Sequence, residues 1–508
     1  MKHKILFLID TIYTQFGIAK FLQEKIDADF DVIYEVNHHI KKQFVDQKFV
    51  NFSNQWFYWD NHSENTSKEP DIEYLKLFEK KYNIDLWKIA YSERIFSQYN
   101  TYHKFNRKEI LLILEKDCKF FEKVLDESKP DFLIMKLADF ARNQLLLELC
   151  TAKGIEVLML IQSRLGYRAY LSSSISKFSD FSKEKITNST EKSFPELRNY
   201  LKKFDKLKQS KSSKSGGINT PIKTKIITFL KWSSKTFDKE YQNTYDHFGV
   251  TRFSVIKNVF LSKIRVWIRA NFLEKNSIKN LNYDENFIYF PLHVQQERNI
   301  DIDAPYFSNQ LFVVENIAKS LPVGLKLYVK EHYFMRNRNW HPVSFYKSLL
   351  NLPNVKLIHP EANSLDLIKN CSLVITIAGT TALEAAFYEK PSITLANTSY
   401  SNLSSIQKIE KFEDLYSTIN NSLKIKVNAS ELNKFIIHQE KNSFVFDEIE
   451  LNNAIIENFH TGGLVPDSEM SINNLNLFLE SRRKSFEPLI TEYINKINEI
   501  NRKKQNIS

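Results

Sequence analysis

Between Asn286 and Leu395 short, largely apolar runs alternate with amphipathic stretches, and this alternation limits the fold more than any other feature of the chain. The runs Phe287–Pro291, Leu325–Lys330, Val355–Ile358, Leu373–Ala378 and Ser392–Leu395 read as strands. Phe307–Ser320, Phe345–Leu350, Leu365–Asn370 and Thr380–Tyr388 between them carry helical spacing. A strand that is apolar on both faces needs cover on both faces, as in a parallel sheet. Strand and helix in strict alternation make a doubly wound α/β domain.

A second such unit opens the chain. Ile5–Ile9 is an unbroken apolar run that stops at Asp10-Thr11. A helix over Gly17–Lys25 and a strand over Asp31–Val36 follow, while residues 37–105 show no clear period. Apolar residues recur at helical spacing from Arg107 to Glu127, and Lys129-Pro130-Asp131 ends that helix. Strand Phe132–Leu137, helix Phe140–Ala152 and strand Glu156–Ile161 then form a βαβ unit.

The expected class is therefore α/β, with two Rossmann-like domains, a basic helical insertion between them and a C-terminal helical segment. The divisions read as 1–175, 176–280, 281–430 and 431–508. Residues 203–225 are rich in Lys, Ser and Gly and read as a linker. Residues 225–275 mix basic and large apolar groups. Two readings stand for them: helices on an anionic membrane face, or helices packed on the domains with snorkelling cations. Ser471–Lys503 reads as mostly helix.

A chain of 508 residues exceeds one compact core and suits two domains. Its formal charge of +11 fits an anionic membrane face, nucleic acid or phosphorylated substrates, or else a solvated basic surface. Cys118, Cys150 and Cys371 lie apart in apolar segments, which argues against a disulfide framework and for a reducing compartment. The apolar run after Met1-Lys2-His3-Lys4 is too short for a signal peptide, and no run reaches the ~20 residues that span a bilayer. There is no P-loop and no G-x-S-x-G.

Three constellations fall at expected strand ends of the second domain, where ligands of open parallel sheets bind. The first is Ala378-Gly379-Thr380-Thr381-Ala382-Leu383-Glu384. Gly379 allows close backbone approach, Thr380 and Thr381 begin a helix and can donate to phosphate, and Glu384 can accept from a ribose hydroxyl. A plain turn capped by Thr380 is the alternative. The second is Lys330-Glu331-His332, two groups that suit phosphate with Glu331 to orient one of them; a surface salt bridge is the alternative. The third is His293-Val294-Gln295-Gln296-Glu297. Their convergence on one sheet edge strengthens all three. Asp301-Ile302-Asp303 reads as a loop, not a metal site. In the first domain Asp10 and Asp139 follow strands and can accept a proton, and Arg142, Arg164 and Arg168 suit an anion; each also reads as a structural pair.

These residues resemble the capsular polysaccharide biosynthesis family, which includes the Kdo transferases of capsule assembly. Tyr289-Phe290-Pro291-Leu292-His293-Val294-Gln295 is similar to that family's "FPLHVQPE" and Leu327-Tyr328-Val329-Lys330-Glu331-His332 to its "LYVKEHP". Asn354-Val355-Lys356-Leu357-Ile358, Ala378–Ala385 and Lys390-Pro391 are similar to its "NVxLI", "GTxGxEA" and following Lys-Pro, and Ser163–Arg168 to an N-terminal "SRxxxR". Gln296, Tyr333 and Thr381-Ala382 depart from these motifs. The resemblance implies a GT-B-like fold and a glycosyltransferase that needs no obligatory cofactor or metal. It implies a nucleotide-sugar donor, CMP-activated in the Kdo enzymes, and a glycan or lipid-linked acceptor. His332 would stand at the donor phosphate, Gln295 and Glu297 would line the donor site, and Gly379–Thr381 would cradle phosphate. Beside it stand an epimerase or polyol-phosphate transferase on the same scaffold, and a non-catalytic assembly factor. The expected setting is the cytoplasm at the inner membrane face, with peripheral contact to anionic lipid and no nucleic acid partner.

Overall fold

The computed structural model describes residues 2–63, 69–97, 103–174, 191–202, 223, 226–227, 230, 252–295, 297–338, 340–459 and 470–505. The expected linker around Lys208–Gly217 and the residue Gln296 lie outside them.

The chain starts with β1 (His3–Ile9), β2 (Ala28–Tyr34), β3 (Asn54–Phe57), β4 (Phe132–Lys136), β5 (Glu156–Gln162) and β6 (Arg168–Ser172). The order β3-β2-β1-β4-β5 is parallel, with β6 antiparallel on β5. Alternation along β1 explains its unbroken apolar run. Ile5, Phe7 and Ile9 enter one core, while Leu6 and Leu8 enter the other.

The second sheet is built from β7 (Phe287–Pro291), β8 (Lys326–Lys330), β9 (Val355–Ile358), β10 (Leu373–Thr376), β11 (Ser392–Thr394) and β12 (Ile406–Lys408). It is wholly parallel in the order β9-β8-β7-β10-β11-β12. Ile288 and Phe290 face one core, and Phe287 and Tyr289 the other. In both sheets the order reverses beside the first strand, and such a switch point opens a crevice beyond the strand ends. The expectation of two Rossmann-like domains is met.

The C-terminal segment is divided between the domains. Helix Ala429–Lys441 packs Leu432, Phe435 and Ile436 on the second domain, against Leu383 and Phe387. The chain then crosses, and β13 (Phe444–Val445) pairs antiparallel with β6. Helices Glu448–Phe459, Ile472–Ser481 and Arg483–Gln505 complete the core of the first domain through Leu451, Ile455, Leu475, Phe486 and Tyr493. They are part of that core and not an extension.

Gly17 permits this closure. It lies in helix Thr14–Gln23, and a Cβ there would stand 2.7 Å from Cζ of Phe486 and 2.9 Å from Leu479. Phe486 is fully buried, so its ring has no free space to turn into. Gly17→Ala is expected to destabilise the first domain by about 1–3 kcal/mol, read as a lower melting temperature. The paired change Phe486→Leu should recover part of that loss.

Candidate functional site

The carboxyl ends of the two sheets face each other. Arg298, just after β7, donates from Nε to the carbonyl of Ala138 after β4 (2.6 Å) and from Nη1 to Asp303 (2.5 Å). Arg164 after β5 donates to Asn299 (3.1 Å). These contacts set the width of a cleft between the switch points.

On the second domain a buried network fixes the strand ends. The Glu331 carboxylate is fully enclosed and accepts from Tyr346 Oη (2.5 Å), from the amide of His332 (2.6 Å) and from His341 Nδ1 (2.7 Å). These hydrogen bonds hold it ionised, below the usual carboxylate range, although burial alone would push it up. His341 Nε2 meets Gln295 Oε1 (3.3 Å). Gln310 Nε2 donates to the same oxygen (2.8 Å), while its own Oε1 accepts the amide of His293 (2.7 Å). Glu331 thus lies buried behind the cleft and holds the backbone of His332, in keeping with the orienting role expected of it, and Gln295, which the resemblance placed at the donor, is buried in the same network. Glu297 is the N-cap of the short helix Arg298–Asp301, and its backbone carbonyl accepts the amides of Ile300 and Asp301 (both 3.0 Å).

Lys330 is different. Its neighbours in the strand alternate, Tyr328 into one core and Val329 into the other, so Lys330 lies on the face opposite Glu331. It is 7% exposed, and its ammonium has no hydrogen-bond acceptor or salt-bridge partner among the described residues. Burial lowers its pKa to about 8, against the pull of Glu331. At pH 7 it remains about nine-tenths charged. A desolvated cation without a partner favours any anion that can reach it.

Two neutral imidazoles stand with it. Burial, then the charge of Lys330, lowers His332 to about 4. Its Nδ1 accepts the amide of Phe334 (3.2 Å), which leaves the proton on Nε2. Burial, then His332 and Arg164, lowers His293 to about 3. His293 Nε2 accepts the amide of Ala378 (3.3 Å) and lies 3.1 Å from Thr376 Oγ1, which leaves the proton on Nδ1. Each ring is a neutral N–H donor, and the positive charge of this group resides on Lys330.

Gly379 serves this packing. A Cβ there would lie 2.7 Å from Thr376 Oγ1 and 2.9 Å from His293 Cε1. Thr380 stands at the N-cap of helix Thr381–Phe387, but its hydroxyl donates to Glu384 Oε1 (2.9 Å) and caps no amide. Glu384 is held by that bond.

The first domain's basic candidates divide. Arg142 is buried, its Nε bonded to Glu35 (2.7 Å) and its guanidinium 4.4 Å from the Phe140 ring centre. Arg168 donates to Ser443 Oγ (2.8 Å) and to the carbonyl of Glu440 (2.6 Å), clamping the crossing chain. Neither faces an anion site, because the fold already occupies both. Arg164 does face the cleft, close enough that its charge adds to the burial and the His332 charge that lower His293.

Asp10 and Asp139 gather around Lys136 at the first sheet's switch point, at 2.5 and 3.6 Å. Glu448, from the C-terminal helices, joins them. Burial pushes its pKa up to about 7, Lys136 pulling it down and Asp139 and Asp10 pushing it further up. Sequence reasoning missed Glu448, since nothing local distinguishes a glutamate at a helix start. Among the described residues no group of three or more His, Cys, Asp or Glu is arranged to hold a metal.

Residues 187–412 match the family described as capsule polysaccharide biosynthesis protein. No curated protein matches the chain. Solved structures similar to it include the UDP-GlcNAc 2-epimerase of Methanocaldococcus jannaschii with UDP-GlcNAc and UDP: 15% identity, 86% of this chain and 99% of that one, TM-score 0.26. The beta Kdo 2,7 transferase of Thermosulfurimonas dismutans KpsC is similar at 14% identity over 67% and 88% of the two chains, TM-score 0.32. Its beta Kdo 2,4 transferase is similar at 9% over 60% and 78%, TM-score 0.29. Superpositions this loose bear on neither fold nor chemistry; the fold stands on its own strand order.

Gly379→Ala is expected to displace His293 and to cost about 1–3 kcal/mol of stability. Thr380→Ala, one residue on, should stay within about 0.5–1 kcal/mol. Melting of the two variants side by side checks this.

Proposed function

We propose that this chain is a glycosyltransferase of capsule or surface polysaccharide synthesis, moving a sugar from a nucleotide-sugar to a glycan or lipid-linked acceptor. The observation that carries the reading is the unpartnered, buried ammonium of Lys330. It stands with the N–H donors of His332 and His293 at a parallel sheet's switch point, within the segment that matches the capsule family. Such a site suits the phosphate of an activated sugar.

In the proposed step the acceptor hydroxyl attacks the anomeric carbon, and the bond from that carbon to the phosphate oxygen breaks. Lys330 offsets the charge that grows on the departing phosphate, and His332 Nε2–H donates to it. Arg164 approaches from the other domain. The hydroxyl proton passes to Glu448 in its carboxylate form, while Asp10 keeps Lys136 in place. The chemistry needs no metal, because Lys330 supplies the positive charge. The enzyme would work on the cytoplasmic side, where nucleotide-sugars are made.

The test is thermal stabilisation by CMP, CDP, UDP and GDP of wild type, His332→Ala and Lys330→Met. At ~100 times its dissociation constant the right nucleotide stabilises wild type by about 2.7 kcal/mol, and both variants lose most of that gain. If no nucleotide moves the wild type, the reading fails and an assembly factor replaces it. Turnover of the donor alone to an epimer would point to the epimerase instead.

The pH profile tests Glu448. Its raised pKa keeps it partly protonated below about 7. A base must be ionised and Lys330 must stay charged, so kcat/KM should rise with pH through about 7 and fall above about 8, where Lys330 loses its proton. Glu448→Gln should cut kcat by about 10²–10⁴ and remove that rise.

A further inference from the structure

Helix Arg252–Asn276 carries two apolar faces, only one of which packs on the described residues. Val266, Ala270, Phe272 and Leu273 pack into the core of the second domain, and Arg269 Nη1 donates to the carbonyl of Trp340 (2.9 Å). On the other side Phe260, Ile264, Trp267 and Ile268 are exposed, Phe260 at 67% and Trp267 at 68%. The first three are spaced i, i+4, i+7 and form one stripe along the solvent face. Lys257, Lys263 and Lys275, all exposed, lie along the same side. The helix holds six basic residues and one acidic residue, so its net +5 is a large share of the chain's +11.

We propose that this face is a docking surface for an anionic membrane, the helix lying flat with Phe260, Ile264, Trp267 and Ile268 in the headgroup–acyl boundary. Large aromatics settle at that depth, and flanking lysines meet the anionic headgroups. The charge selects lipid over a second copy of the chain. A two-fold contact through this stripe would bring each copy's lysines against the other's. The helix is also mounted beside the site. Tyr333 and Arg336, which follow His332, line a cavity of about 620 Å³ beneath it with Val266, Ala270 and Trp340. Docking would therefore hold the cleft at a set height above the bilayer, within reach of a lipid-linked acceptor. Among the described residues no helix is long and apolar enough to cross a membrane.

The test is co-sedimentation of the full chain with vesicles, read without any activity. One set is phosphatidylcholine alone; the other contains about one-third phosphatidylglycerol. Wild type is expected to bind the anionic vesicles at least about tenfold more tightly, and added salt should weaken that preference. Lys257→Glu with Lys263→Glu should remove the preference. Phe260→Ser with Trp267→Ser should weaken binding to the anionic vesicles at least about tenfold. All four positions are exposed, so unchanged circular dichroism and melting would show that the fold is intact. Wild type that stays in solution beside anionic vesicles would overturn the proposal, as would folded variants that bind like wild type. A wild-type dimer that the Phe260→Ser, Trp267→Ser variant dissociates would assign the face to a second copy instead.

Discussion

The carboxylate of Glu331 is the anchor on which the cleft depends. It is fully buried, and three donors hold it. A buried charge held this way leaves its strand end little freedom, since any shift would strand an ion in a poor dielectric. The pleat then dictates the rest. With Glu331 turned to one face, Lys330 must turn to the other, where it has no counter-ion within bonding distance among the described residues. The same network runs through His341, Gln295 and Gln310 to the backbone of His293. One set of hydrogen bonds therefore aligns the ends of β7 and β8 together.

The second determinant is the way the chain returns. After the second domain it crosses at Ser443, where Arg168 grips it, and its last helices complete the first domain's core. The first domain is thus built from both ends of the sequence. This return places Glu448 beside Asp10, Asp139 and Lys136. Each domain then presents its own chemistry: a cation with two neutral donors on one side, and carboxylates around a lysine on the other.

The arginines show how burial sorts candidates. Arg142, Arg164 and Arg168 look alike in the sequence, each near the end of a strand or the start of a helix. Arg142 is buried and therefore needs Glu35, and Arg168 is saturated by carbonyls and a hydroxyl. Only Arg164 is held by a neutral side chain across the cleft and still acts on the groups there. Identity and spacing could not separate the three, because the partners lie up to 275 residues away.

Local sequence determined the two parallel sheets, since a strand covered on both faces must be apolar over its buried stretch, as Ile5–Ile9 of β1, Phe132–Met135 of β4, Phe287–Phe290 of β7 and Leu373–Ile375 of β10 are. It also marked the strand ends that matter, because Lys330, His332, His293 and Gly379 interrupt apolar runs where a sheet should stop. The edge strands β3, β12 and β13 left little trace, since an edge strand has one neighbour and can carry exposed residues such as Asn54 and Lys408. Which polar groups are free was decided only in three dimensions. Glu331 and Lys330 are adjacent in sequence, yet one is saturated and the other unpaired, because the pleat sends them into different surroundings. Glu448 entered the site, and helix Arg252–Asn276 kept an apolar face in solvent, for the same reason: burial and pairing are properties of distant segments brought together, which no local pattern encodes.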